Sequence, residues 1–289
     1  MIYIEHTPAP PLNRFVRMLW YACAPDPGHR RERVLPTGRT QVILNLARDY
    51  ILDARRPNAC DNAPLVKAPP SLVVGARSVY ELVDTSDMAD LIGIVFEPGA
   101  LPLFAGDAAD LFSNRTVALE DIWGTPARSL RDRLREIPTT AGKLCLLESD
   151  LMHRLQVRRR PVQLPGAVQF ALTRFDRAPG AATVAEVARS TGWSERRFSQ
   201  VFREQVGLSP KVWCRVQRFQ RAVQRLHAGA DVRWTELALD CGFYDQAHFA
   251  NEFRAFSGID PTTYSSLRTP WANHVSVDEG DAPHARPPA

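Results

Sequence analysis

The sequence lacks the features of membrane-spanning and secreted proteins. No apolar run approaches the roughly 18 residues that a membrane-spanning helix needs. The first residues, MIYIEHTPAPP, contain a glutamate and prolines instead of the basic and then apolar segments of a signal peptide. The five cysteines are scattered and form no CxxC pair, which favours reduced thiols over a disulfide framework or a zinc site. These absences predict a cytoplasmic protein that does not contact a membrane.

Residue patterns that carry catalysis or hold a cofactor are also scarce. Residues 1–157 contain only three histidines, His6, His29 and His153, and none belongs to an HxH or HxxxH pattern with a nearby acid. Neither a GxxxxGK[ST] phosphate loop nor a GxSxG nucleophile motif occurs. We therefore expect no metal site, no cofactor and no enzymatic activity.

What the sequence does contain is the composition of a globular protein with an uneven distribution of charge. The 289 residues are 45% hydrophobic and 24% charged, which is enough for two domains with sizeable cores. Residues 154–268 contain 18 Lys and Arg against 10 Asp and Glu, a net charge of +8, whereas residues 1–153 have a net charge of −2. An excess of cations on one segment is typical of proteins that contact phosphates, and also of a solvated arginine-rich surface.

The first hundred residues are predicted to be strands. Short runs rich in Val, Ile and aromatic residues are separated by Pro, Gly, Asn or Asp, with no long helical pattern between them. The runs are residues 15–23, 41–47, 71–76, 79–83 and 91–96. Such a series indicates an antiparallel barrel or sandwich. Residues 53–70 are predicted to be a loop because they contain prolines and few apolar residues.

Two amphipathic helices are predicted to follow, over residues 126–137 and 140–157. In the second, leucines recur every three or four residues: Leu144, Leu147, Leu151 and Leu155. This stripe packs either against the first domain or against a second copy of the chain. The arginine- and proline-containing segment 158–165 is the best candidate for a linker.

Further along, residues 242–261 have the pattern of a helix-turn-helix unit. Phe249, Phe253 and Phe256 lie on one face of a predicted helix that Asp245 caps, while polar residues lie on the other face. A short helix over residues 234–241, with Leu237 and Leu239 predicted to face inward, precedes it across Gly242. A helix, a turn with glycine and a second helix with a polar outer face are typical of major-groove binding.

An earlier stretch repeats this pattern. The helix Val184–Ser190 is followed by a Gly192-Trp193 turn and by a helix that Ser194 caps. This second helix has Phe198, Val201 and Phe202 on its apolar face. A long helix from Ser209-Pro210 to about residue 228 then separates the two units by about 30 Å, close to the roughly 34 Å between successive major grooves.

Residues 166–268 resemble the DNA-binding domain of AraC/XylS-type transcription regulators. The stretches that carry the resemblance are VAEVARSTGWSERRFSQVFREQVGLSPKVWCRVQRFQRAV and ELALDCGFYDQAHFANEFRAFSGIDPTTY. More loosely, RVLPTGRTQVILNL and GIVFEPGALPLFAG resemble the sensory or dimerisation domain of one AraC-type subgroup. An acidic residue that this subgroup carries near Gln41 is absent here, which puts the identity of any effector in question.

The resemblance implies the architecture of the whole chain. The expected fold class is α+β: a β-rich, cupin-like domain with two following helices (1–157), a linker (158–165), an all-α domain of two helix-turn-helix units joined by a long helix (166–268), and a disordered tail (269–289). It implies double-stranded DNA as the partner, and allows for RNA polymerase, a small-molecule effector and a second copy of the chain. The alternatives are a ligand-independent dimeric regulator and an enzyme that uses the first domain.

The resemblance also implies which residues contact DNA. Those of the first unit are Arg196, Ser199, Gln200 and Arg203; those of the second are Gln246, His248, Asn251 and Arg254. Ala247 and Asn251 differ from the longer polar residue and the arginine that many relatives carry, so base recognition by the second helix is the weaker expectation. The alternatives are plain surface roles for Arg196 and Gln200. For His248 the alternative is a half-buried position without a role, and for Gln246 it is an interaction with the helix N-terminus.

Overall fold

The computed structural model describes residues 2–23, 30–53, 60–61, 63–87, 89–157, 164–177, 182–229 and 233–277. Its strands are β1 Ile2–His6, β2 Val16–Cys23, β3 Arg31–Val34, β4 Gln41–Asn45, β5 Ile51–Asp53, β6 Val66–Ala68, β7 Ser71–Val74, β8 Glu81–Asp84, β9 Leu91–Phe96, β10 Thr116–Ala118 and β11 His274–Ser276. Its α-helices are α1 Leu101–Ala105, α2 Glu120–Trp123, α3 Thr125–Glu136, α4 Thr140–Gln156, α5 Gly166–Arg177, α6 Val184–Ser190, α7 Glu195–Val206, α8 Pro210–His227, α9 Trp234–Asp240, α10 Gln246–Ser257 and α11 Pro261–Leu267. Short 3-10 helices lie at Leu12–Arg14, Thr85–Asp87 and Ala109–Phe112.

The first domain consists of two antiparallel sheets. One has the strand order β1-β2-β9-β4-β7-β10 and the other the order β11-β3-β8-β5-β6. Alternate side chains of β2, β4 and β9, including Leu19, Val42 and Ile94, face α3 and α4 and form a buried core with them. The predicted combination of a β-rich domain and a helical domain is confirmed.

The leucine stripe of α4 belongs to this core. Leu144, Leu147, Leu151 and Leu155 are each at most 8% exposed and pack in the same cluster as the sheet. Of the two interpretations of the stripe, the structure therefore supports packing within the domain, because none of these side chains is left for a partner.

Several strands were not predicted, and one prediction was wrong. The segment 53–70 was expected to be a loop, but it contains β6, which pairs with β5. The strands β1 and β3, IYIEH and RERV, carry charges and expose part of their side chains, so they lack the apolar runs used to find strands.

The second domain is helical and is built around aromatic side chains. Phe219 of α8 lies 5.1 Å from Phe253 and 5.2 Å from Phe256, measured between ring centroids. Leu237 is buried as expected, whereas the prediction that Leu239 also faces inward was wrong, because Leu239 is 58% exposed. Side chains two positions apart on a helix point to nearly opposite sides. Leu237 and Ala238 form the buried face of the short α9.

The two domains share a continuous interface. Leu35, Ala76 and Tyr80 of the first domain lie in the same buried cluster as the aromatic core of the second. The side-chain amide of Gln220, on α8, donates to the Pro36 carbonyl at 2.9 Å and to Asn273 Oδ1 at 2.8 Å. Both of its N–H groups are therefore satisfied at a buried position.

The segment after α11 returns to the first domain, which corrects the prediction of a disordered tail over 269–289 in its first nine residues. There, β11 pairs antiparallel with β3, and Val275 is 1% exposed. His274 Nδ1 lies 2.6 Å from Glu32 Oε2, on a side chain that is 2% exposed. Glu32 and His274 are 242 residues apart in the sequence, so no local sequence pattern could predict their contact. The rest of the predicted tail, and most of the predicted linker, lie outside the described residues.

We expect a chain that ends at Arg268 to be less stable than the full chain by about 2 kcal/mol or more. The truncation removes the burial of Val275 and deprives the buried Glu32 of its His274 partner. Urea unfolding measures the difference, and a chain that ends at Val277 is the matched control because it keeps β11. Equal stability of the two truncated chains would contradict the structural role of β11.

Candidate nucleic-acid interface

Local sequence determines where the two exposed helices α7 and α10 begin and end. The Ser194 side chain accepts a hydrogen bond from the Arg197 N–H, and the Asp245 carboxylate accepts one from the His248 N–H at 2.7 Å. These are the side-chain caps that the sequence predicts. At the other ends, Gly207 and Gly258 adopt left-handed backbone angles, with φ of 92° and 75°.

Each of these helices buries an aromatic stripe. Phe198 and Phe202 of α7 and Phe253 of α10 are 0% exposed, and Phe249 is 1% exposed. Because the buried stripe fixes the rotation of each helix about its axis, the residues on the opposite side must face solvent. The polar faces of α7 and α10 are therefore presented outward by the core.

The two helix-turn-helix units are internally equivalent at a spacing of 51 residues. Phe198, Phe202, Arg203, Gly207 and Pro210 correspond to identical residue types at Phe249, Phe253, Arg254, Gly258 and Pro261. The corresponding caps are Ser194 and Asp245. The second unit has one extra residue in its turn, because two residues, Phe243 and Tyr244, stand where the first has only Trp193.

In the first unit, the predicted contact residues lie on the solvent side of α7. Arg196 and Gln200 are exposed and Ser199 is half-buried. The Gln200 amide donates to Glu204 Oε1 at 2.9 Å, one helical turn further along. Arg203 is 56% exposed and forms an ion pair with Asp110 of the first domain, with 3.4 Å between Nε and Oδ2.

In the second unit, Gln246, Asn251 and Arg254 are exposed on α10. His248 is half-buried, and its Nδ1 accepts a hydrogen bond from the Tyr244 N–H at 3.2 Å. A neutral imidazole that accepts at Nδ1 carries its proton on Nε2, so the free side of this ring is a donor. The structure thus brings all eight predicted residues to the surfaces of two helices, without testing their contact with DNA.

Sequence reasoning missed the residues that hold α10 in place. Arg215 of α8 forms two hydrogen bonds to Glu252 of α10, at 2.8 and 2.7 Å, and lies over the Phe256 ring. Hydrogen bonding to this guanidinium holds the pKa of the Glu252 carboxyl below its ordinary value. The pair spans 37 residues, so periodicity within a single helix could not reveal it.

Two exposed side chains beside the predicted residues also escaped attention. Tyr244, the additional residue of the second turn, is 85% exposed. Arg197 is exposed at the start of α7, with its guanidinium carbon 5.3 Å from the centroid of the Trp193 ring. The feature that points to Tyr244 is the exposure of its ring beside the N-terminus of α10, and this exposure is visible only in the three-dimensional structure.

The surface carries polar groups that can bind an anionic partner. The described residues contain no group of three or more His, Cys, Asp and Glu side chains placed to hold a metal ion. Within the same ranges, no helix has both the length and the apolar composition needed to cross a membrane. What the surface offers is guanidinium, amide and imidazole donors on two rigid helices, which are the groups that contact phosphates and base edges.

Comparison with known families identifies the second domain. Residues 187–266 match the model of a helix-turn-helix domain family, and residues 4–118 match a domain of unknown function, DUF6597. The helical domain contains a helix-turn-helix domain of the AraC type, which confirms the resemblance to AraC/XylS-type regulators.

The chain is also similar to individual proteins over parts of its length. The chain is 31% identical over 172 residues to the probable thc operon regulatory protein of Rhodococcus erythropolis, covering 58% of this chain and 48% of that protein. The chain thus spans about half the length of this curated relative. It is also similar to the C-terminal domain of AraT, a response regulator from Geobacillus stearothermophilus, with 20% identity, a TM-score of 0.35, and coverage of 43% of this chain and 97% of that one. ToxT from Vibrio cholerae O395 shows 9% identity, a TM-score of 0.45, and coverage of 86% and 95%.

We expect Glu252→Gln to lower the free energy of unfolding, with a deficit that depends on pH. Because the pKa of Glu252 is lower in the folded state, its ion pair contributes stability above the ordinary glutamate pKa of about 4.5. This contribution is lost as the pH falls through the depressed folded pKa, so the deficit of the variant should shrink in acid. Urea titrations over a pH series measure it, with Glu136→Gln on α3 as the matched control. A deficit that stays constant with pH would contradict the ion-pair interpretation.

Proposed function

We propose that this chain is a sequence-specific transcription regulator that binds double-stranded DNA by placing α7 and α10 in neighbouring major grooves. The observation that carries the proposal is the equivalence of the two helices. Each buries its aromatic stripe in one core and exposes a polar face with an arginine at the same position, Arg203 or Arg254. The repetition of this arrangement in α7 and α10 favours one shared role for the two exposed faces.

The length of α8 supports simultaneous binding. This helix has 18 residues, so it is about 27 Å long at 1.5 Å per residue. Successive major grooves on one face of B-DNA are about 34 Å apart. The helix connects the two units and contacts both, so their separation is of the right order for adjacent grooves.

The side chains divide into two roles in this proposal. Arg196, Gln200 and Asn251 favour particular bases, because amide and guanidinium groups form paired hydrogen bonds with base edges. Arg203 and Arg254 supply contacts to phosphates, and Ser199, Gln246 and His248 add hydrogen bonds to bases or backbone. The first domain senses a small molecule or mediates dimerisation, and it or the second domain contacts RNA polymerase in the cytoplasm.

Selection of the full chain against a random duplex pool tests the proposal. Enrichment of two short motifs about one helical turn apart supports it. Absence of any enrichment at low salt, with folded protein, overturns it. The enriched duplex is then the substrate for the two variants below.

For Gln200→Ala we expect reduced preference at one or two base pairs, by about 1–3 kcal/mol, with little change elsewhere in the motif. Binding to duplexes with single base changes measures the preference. Gln224→Ala is the matched control, because Gln224 is an exposed glutamine on α8 outside the proposed interface. An equal loss on every duplex would show that Gln200 contacts only the backbone.

For Arg254→Ala we expect weaker binding on all sequences and a shallower dependence of affinity on salt. Loss of one phosphate contact reduces the slope of log K against log salt by about 0.9. Arg133→Ala removes the same charge from an exposed site on α3 of the first domain, and should leave the slope unchanged. An unchanged slope for Arg254→Ala would rule out the phosphate contact.

A further inference from the structure

The first domain contacts the C-terminal ends of α7 and α10, the two helices proposed to enter the major grooves. A Cβ atom added to Gly207, which follows α7, would lie 3.1 Å from Ala76 Cβ and 3.2 Å from the Ala109 carbonyl oxygen. A Cβ atom added to Gly258, which follows α10, would lie 2.6 Å from Cε1 of Tyr80. The glycines therefore allow a close approach that any side chain would disturb, and the two helices end directly on the first domain.

At the first of these contacts the two domains also form an ion pair. The 3-10 helix Ala109–Phe112 packs against α7, and its Asp110 lies 3.4 Å from Arg203 as described above. The Asp110 side chain is 24% exposed and the Arg203 side chain 56% exposed, so both can be reached by solvent and by a ligand. Among the described residues, Arg254, the equivalent of Arg203, forms no ion pair.

We propose that Asp110 competes with a DNA phosphate for Arg203, so that the first domain weakens binding by the first recognition helix. This inference rests on the proposed function. A carboxylate beside the guanidinium cancels part of the charge that attracts a phosphate, and it repels the phosphate directly.

The position of Asp110 connects this competition to the interior of the first domain. Ala109 and Phe112, its neighbours in the same 3-10 helix, are 1% and 7% exposed and belong to the core formed by the sheet and α3 and α4. Any repacking of that core that moves this 3-10 helix changes the distance between Asp110 and Arg203. The ion pair is thus placed to transmit the state of the first domain to α7.

The test is a double-mutant cycle on the full chain with the duplex enriched by the wild type. Asp110→Asn should tighten binding about two- to fivefold, as expected for loss of an exposed ion pair. The gain should be larger at low salt, since salt screens exposed charges. In an Arg203→Ala background the same Asp110→Asn change should have a much smaller effect, because the competed group is absent and only the direct repulsion between Asp110 and the phosphate is relieved.

Asp107→Asn is the matched control, because Asp107 is an exposed acid three residues away on the same segment. It removes the same charge and should change affinity much less. Equal gains for the two variants, or weaker binding by Asp110→Asn, would overturn the proposal; weaker binding would show that Asp110 orients Arg203 for DNA. Thermal melting of each variant verifies folding. If the wild type enriches no duplex, the proposed function fails instead, and the two failures are distinct.

Discussion

Burial of the aromatic stripes of α7 and α10 is the constraint on which the rest of the second domain depends. Phe219 of α8 packs against Phe253 and Phe256, while Phe175 of α5 packs edge-on to Phe202. These contacts fix the rotation of both exposed helices, and the rotation decides which side chains face solvent. A shift of one residue in either helix would bury the polar face, so the surface and the core are specified together.

The long helix α8 packs against α7 and α10 on one side and against the first domain on another. Gln217 and Gln220 donate to carbonyls of the segment that precedes β4, and Trp213 lies against Gly38 of the same segment. The paired strands β11 and β3 add a second connection between the domains. The surface formed by α7 and α10 is therefore built on a helix whose position the first domain also determines.

The sequence predicted the helical domain closely, because its signals are local. Caps such as Ser194, Ser209 and Asp245 lie within three residues of the N–H groups that they bind, and the structure has all three. Features that join distant parts of the chain could not be predicted. The pairing of β11 with β3, the Arg215–Glu252 ion pair and the contact between Asp110 and Arg203 depend on tertiary packing, which single-helix or single-strand periodicity does not encode.

The central claim is that both recognition helices contact bases in adjacent grooves, and missing-base interference on the enriched duplex tests it most directly. Removal of single bases weakens binding wherever a side chain contacts that base. The account predicts two clusters of sensitive bases on one face of the duplex, with centres about 10 to 10.5 base pairs apart. A single cluster would contradict it and would show that one helix alone recognises sequence.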